Sequence, residues 1–170
     1  MPLQTDNDKI WYALYTRPRH EKSVDDQLQE KGIESYLPLK KVLKQWSDRR
    51  KWVEEPLFRS YVFVHGNKQI NYQAVQTHGA VCLLSFSGKP ARIYDWEIET
   101  IQRILKEKPE TEPCSIFQIG DWVEISNGSL QGLRGRLQEI HGEKRLIITV
   151  ESIQQAMRFS VNINDVRRVA

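Results

Sequence analysis

Residues 10–16, Ile10-Trp11-Tyr12-Ala13-Leu14-Tyr15-Thr16, are a run of apolar and aromatic side chains closed by Pro18, the pattern of a buried strand. Residues 19–31 are polar apart from Val24 and Leu28, four positions apart, and Gly32 follows. That spacing predicts a helix with a narrow apolar stripe and a glycine at its C-terminal end. Residues 34–39 read as a second strand that leads into a long hairpin, with Trp46-Ser47-Asp48-Arg49 as its tip and Lys51-Trp52-Val53 as the return. Residues 59–65 form the clearest strand, with Tyr61 and Phe63 on one face and Val62 and Val64 on the other. A short helix over 70–78, stopped by Gly79, precedes a strand over 81–86 and a turn at Ser87-Gly88-Lys89-Pro90. The last helix places Ile98, Ile101, Ile104 and Leu105 on one stripe behind a capping Asp95, with Glu97 and Glu99 near its start and Lys106 and Lys108 near its end.

The pattern changes after residue 106. Lys106-Glu107-Lys108-Pro109-Glu110-Thr111-Glu112-Pro113 is charged, contains two prolines and has no apolar residue, so it reads as a linker. Beyond it come five short segments suited to strands (residues 122–125, 135–140, 146–150, 157–161 and 166–169), separated by turns at Asn127-Gly128, His141-Gly142, Asn162 and Asn164. The expected organisation is an α+β domain over 1–106, with helices on an antiparallel sheet, a linker over 107–115 and a small all-β barrel over 116–170.

Composition narrows the function. The 170 residues carry a formal net charge of +3, with 39% hydrophobic and 28% charged positions. The apolar runs are far shorter than the roughly 20 residues a membrane helix needs. Met1–Asp6 has neither a basic start nor an apolar stretch, so a cytoplasmic protein with no membrane association is expected. Cys82 and Cys114 have no paired or metal-binding spacing and fit free thiols. His20, His65, His78 and His141 show no ligand spacing, no phosphate-binding loop is present, and no acid–base pair or activated nucleophile stands out. Neither an enzyme, a cofactor nor a metal is expected. The charge is localised, however. Lys40, Lys41, Lys44, Arg49, Arg50 and Lys51 crowd positions 40–51, where only Asp48 opposes them, either as a solvated edge or as a contact for an anionic partner.

Trp11-Tyr12, Tyr36-Leu37-Pro38, residues 55–64 (Glu-Pro-Leu-Phe-Arg-Ser-Tyr-Val-Phe-Val), Gly79-Ala80-Val81 and Ser87-Gly88-Lys89-Pro90 with the helix after it together resemble the N-terminal domain of the NusG family. The string from Gly120-Asp121-Trp122 through Gly128-Ser129-Leu130-Gln131-Gly132-Leu133-Arg134-Gly135 resembles the KOW motif, whose fold is an SH3-like five-stranded barrel. Arg59-Ser60 stands where the family commonly has Pro-Gly, and the basic hairpin diverges. Both departures resemble specialised paralogues of the RfaH or Bacteroides UpxY type.

The resemblance implies a transcription elongation and antitermination factor that rides on RNA polymerase and suppresses pausing or termination, at specific operons such as polysaccharide loci. It implies Tyr61, Phe63, Phe86 and Ile98 as the pocket that grips the clamp helices of the largest polymerase subunit. The alternative for these four is domain core. The non-template DNA strand is a further implied partner, for which Arg17, Arg19, Lys22, Lys44, Arg49 and Arg50 are the candidate contacts. The barrel would recruit the ribosome or a termination factor. Trp11, Tyr12, Tyr15 and Trp122 fit core or strand packing and not contact with a partner. A second reading is an RNA-binding module, RRM-like or ribosome-associated. Residues 59–64 approach the aromatic strand of an RRM, but Ser60 and Val62 replace its small positions and Gly66 its last aromatic.

Overall fold

The first strand, β1 (Ile10–Thr16), lies centrally in an antiparallel sheet, and its apolar run reflects neighbours on both edges. The structure, a computed structural model, describes residues 9–114, 120–140 and 142–169. Met1–Asp6, Ser115 of the expected linker and His141 of the expected turn lie outside these residues. Helix α1 (Glu21–Glu30) buries Val24 and Leu28, as their spacing predicts. It ends with Gly32 at φ +70°, the Gly32 amide donating to Gln29 O at 2.9 Å and the Ile33 amide to Leu28 O at 2.9 Å. This pair of bonds satisfies carbonyls that the helix end would otherwise leave open. The chain continues through β2 (Ser35–Tyr36), β3 (Leu39–Gln45), β4 (Arg50–Pro56) and β5 (Tyr61–Gly66).

Helix α2 (Lys68–Val75) starts two residues before its apolar pattern because Asn67 caps it, its side-chain oxygen accepting from the Ile70 amide at 3.0 Å. After β6 (Ala80–Leu83), the segment expected as one strand divides. Short strands β7 (Ser85–Phe86) and β8 (Lys89–Pro90) form a separate ribbon closed by Ser87 and Gly88, both at positive φ. This is the geometry of a tight two-residue hairpin turn, so Lys89 and Pro90 belong to a strand and not to the turn. An unanticipated strand, β9 (Arg92–Ile93), pairs with β1. Helix α3 (Asp95–Glu107) carries the expected buried Ile98, Ile101 and Ile104. Asp95 is its first helical residue and not its cap. Glu97 instead reaches back, its carboxylate accepting from the Tyr94 amide at 3.0 Å.

Residues 9–38 and 58–98 form one compact unit. Its sheet runs β2-β5-β1-β6, with β9 also on β1, and every pairing is antiparallel. Helix α1 packs against β2 and β5, and α2 against β5 and β6. Gly66 lies in phase with Val62 and Val64, and a Cβ there would overlap Ile70 of α2, so the glycine lets the helix close on that face.

Residues 39–57 and 99–169 form the second unit. Within it, β3 and β4 make the expected hairpin, Leu39 opposite Pro56 and Gln45 opposite Arg50. The charged stretch read as linker is partly structured. Residues 112–114 form β10 (Glu112–Cys114) on the edge of the C-terminal sheet, where Pro113 is tolerated and Glu112 pairs with Arg145 and Arg158. The five remaining strands fall where the sequence pattern puts them: β11 (Asp121–Ile125), β12 (Arg134–Ile140), β13 (Glu143–Val150), β14 (Gln155–Ser160) and β15 (Val166–Arg168). The sheet order is β10-β14-β13-β12-β11-β15. Arg103 of α3 donates to the carbonyls of Ser129 and Gln131 at 2.6 and 2.8 Å in the loop between β11 and β12.

Candidate functional site

The aromatic residues of β1 and β5 converge because the register aligns them. Tyr15 lies opposite Tyr61, Ala13 opposite Phe63 and Trp11 opposite His65, and cross-strand partners project on the same side. Small Ala13 leaves room for the Phe63 ring. Tyr15 and Tyr61 meet edge to face at 5.6 Å between centroids, and Trp11 stacks on His65 at 4.8 Å. Phe63 is stacked by Tyr36 at 6.1 Å and met edge-on by Phe58 at 6.5 Å. Burial raises the pKa of the Tyr61 phenol, with Tyr15 and Cys82 adding to it, and burial likewise raises that of Tyr36. A phenol is neutral near pH 7 in any case, so Tyr61 presents a polar but uncharged edge.

The four residues expected as one open pocket are not equivalent. Tyr61 is half-buried and Phe86 is exposed, whereas Phe63 and Ile98 are buried. The aromatic side of β5 is therefore open at Tyr61 and closed at Phe63. Val62, Phe63 and Val64 are all fully buried, because β5 is an interior strand with Tyr36 and Phe58 over its aromatic side. Tyr61 and Phe63 share a face. Phe86 sits on the β7–β8 ribbon opposite Lys89, and Ile98 sits in the first turns of α3. Tyr15, read from sequence as packing, is 38% exposed and completes the accessible aromatic rim with Tyr61.

The candidate cations divide between the units. Arg17, Arg19 and Lys22 are exposed at the β1–α1 junction, where the Arg17 amide donates to Gly79 O at 2.8 Å and Arg19 has φ +66°. Lys44, Arg49 and Arg50 are exposed on the hairpin; Lys44 pairs with Glu55, and Arg50 Nε donates to Gln45 at 2.7 Å. The hairpin also exposes Leu43, Trp46 and Trp52, of which Leu43 and Trp52 are cross-strand partners. The charges of this hairpin stand out in the amino-acid sequence, whereas the exposure of its tryptophans does not. Trp122 is a second correction: it is 51% exposed, on the outward side of a strand whose Val123 and Ile125 face the core.

A family model described as transcription termination factor nusG matches residues 9–102, more than half of the chain. The chain belongs to the NusG family. Over 99% of its length it is 24% identical to the transcription termination/antitermination protein NusG of Rickettsia felis, covering 94% of that protein. Over 95% it is 23% identical to the corresponding protein of Lactococcus lactis, again covering 94%. A solved structure of Thermotoga maritima NusG, described by its domain interaction, is similar in fold with a TM-score of 0.58 at 23% identity, covering 96% of this chain and 98% of that one. The α+β region followed by an all-β region is thus the NusG architecture, and this NusG-like chain is a transcription termination/antitermination factor, not an enzyme. Among the described residues, no group of His, Cys, Asp and Glu could hold a metal ion, and no helix is long and apolar enough to cross a membrane.

Proposed function

We propose that this NusG-family chain docks on RNA polymerase through the sheet face bearing Tyr15 and Tyr61, and suppresses pausing or termination at particular operons, polysaccharide loci among them. The observation that carries the reading is the Tyr15–Tyr61 rim, backed by buried Phe63 and held by the β1–β5 register. Aromatic anchors on a rigid base are the side chains that dominate protein interfaces. Phe63 and Ile98 act from beneath, setting the shape of the surface, while Tyr61, Tyr15 and Phe86 touch the clamp helices of the largest subunit. Arg17, Arg19 and Lys22, with Lys44, Arg49 and Arg50, contact the non-template DNA strand by displacing counterions. Functionally the chain is divided as residues 1–106 for polymerase, 107–115 as connector, and 116–170 as a KOW module that recruits the ribosome or a termination factor.

The specialised role is supported by Ser60. It has φ +64°, a backbone conformation that favours glycine, at the position where the family commonly has one. The test is titration of Tyr61→Ala combined with Phe86→Ala against core polymerase, after thermal unfolding has checked that the fold is intact. Interface aromatics commonly contribute about 2 kcal/mol or more, so binding should weaken more than tenfold. Unchanged affinity in the folded variant would refute the docking face. Deletion of the gene followed by transcript profiling tests the specialisation: altered read-through in a few operons supports it, and a genome-wide change contradicts it.

A further inference from the structure

Glu21 is buried at the start of α1, only 5% exposed, in the unit that carries the Tyr15–Tyr61 rim. Its carboxylate accepts from the Ser60 amide at 2.8 Å, a bond that joins positions 39 residues apart. Burying a carboxylate is costly unless it is paired or well hydrogen-bonded, and among the described residues no cation pairs with Glu21. The first turn of a helix is its positive end, which favours an acidic residue there. An exposed glutamate would gain the same benefit, and the adjoining Lys22 and Ser23 of that turn are exposed. What burial adds is the bond to Ser60.

Ser60 is held from both sides. Its N–H donates to Glu21, and its carbonyl accepts from the Thr16 amide at 2.9 Å. Between these bonds the backbone has φ +64°, a left-handed conformation that a serine resists. Released from Glu21, Ser60 would relax toward an ordinary negative φ, and the residue after it would turn with it. That residue is Tyr61, just as Thr16 is the residue after Tyr15. The two hydrogen-bonded backbones thus adjoin the two rings that meet edge to face at 5.6 Å. The local bond of the turn, from the Tyr61 amide to Phe58 O, is long at 3.4 Å, so the turn depends on bonds from α1 and β1.

We infer that Glu21 is a positioning residue for the polymerase-docking rim: its carboxylate holds the left-handed turn at Ser60 and so fixes the direction of the Tyr61 ring. This role rests on the docking proposed above and adds to it a buried residue that acts without touching the partner. Serine is what makes the carboxylate necessary. A glycine at position 60 would reach the same φ without steric cost and would depend less on Glu21.

The test is a double-substitution cycle on the full-length chain, titrated against core polymerase at a temperature where circular dichroism shows every variant fully folded. A residue that only stabilised the fold would leave the affinity of the folded chain unchanged there. Glu21→Ala should weaken binding about fivefold. Glu21→Gln, whose amide oxygen can still accept from Ser60, should stay within about twofold of the parent. Ser60→Gly should bind as the parent does, and adding it to Glu21→Ala should recover most of the loss. In a Tyr61→Ala background, Glu21→Ala should cost little more, because effects relayed through one side chain do not add. If Glu21→Ala does not fold, Glu21→Asp takes its place; it keeps the charge at the helix start but is one methylene short of Ser60. The positioning role is overturned if the folded Glu21 variant binds as the parent does. It is equally overturned if the loss persists in full in the Tyr61→Ala background, or if Ser60→Gly restores nothing. Tyr61→Ala alone distinguishes the two readings. If it leaves affinity unchanged, the docking face is refuted and this role with it; if it weakens binding while the Glu21 variants do not, only the role of Glu21 falls.

Discussion

Strands β5 and β11 both alternate aliphatic residues with residues of another kind, yet they use the alternation in opposite ways. In β5, Val62, Phe63 and Val64 are all fully buried, because the strand has β1 and β2 on its edges, helices on its aliphatic side, and Tyr36 and Phe58 over Phe63. In β11, Val123 and Ile125 are buried, and so is Glu124 beneath its bonds from Arg134 and Arg167, while Trp122 on the same face as Glu124 is half exposed, its only described ring contact being Arg136. Period two identifies which residues share a face, but whether a face is open depends on what other elements lie over it.

That contrast is broken most severely by Phe63→Ala. Truncating a fully buried phenylalanine should cost about 3–5 kcal/mol, read as a large fall in the denaturation midpoint. A loss near 1 kcal/mol would mean that the aromatic side of β5 is open after all. Gly135→Ala in β12 comes next. Its new Cβ would overlap the Ile147 carbonyl oxygen on β13, and backbone cannot yield as a flexible side chain can. A loss of about 1–3 kcal/mol is expected, and an unperturbed midpoint would show that the two strands are not closely apposed there. Trp122→Ala should change stability by less than about 1 kcal/mol, since it removes one exposed cation–π interaction.

Acid provides a finer probe of the β11 side. The pKa of Glu124 is lowered by hydrogen bonds from Arg134 and Arg167, so its contribution is present above the unfolded-state value of about 4.3 and is lost as pH falls through the folded value. Glu124→Gln should flatten the decline in thermal midpoint below that pH; an identical acid profile in both proteins would dispute the paired carboxylate. The smallest effect is expected at Ser60→Gly. It relieves a left-handed serine at φ +64° but loosens the unfolded chain, for a net gain of about 0.5 kcal/mol. A marked loss would show that the serine side chain has a structural partner.

The amino-acid sequence alone determined the elements whose pattern is local. Strand β1 follows from its unbroken apolar run, α1 from Val24, Leu28 and Gly32, and the five C-terminal strands from short apolar segments between turn residues. It also determined which side chains travel together, because Tyr61 with Phe63 and Trp122 with Glu124 follow from the pleat. The outward position of Trp122 was legible in the same way, from Val123 and Ile125 flanking Glu124, although tryptophan's size suggests a core. Pairing of distant segments was not legible. Glu112-Pro113-Cys114 has the composition of a linker and becomes a strand only because β14 offers an edge and Arg145 and Arg158 offer charge. The candidate site was decided at the same level. Tyr15 meets Tyr61 across a register that neither strand encodes by itself, and Phe63 is buried by Tyr36 and Phe58 from other segments. Alternation is set by each strand's own backbone geometry, whereas burial depends on which segments come to lie against it, and those contacts form only in the folded chain.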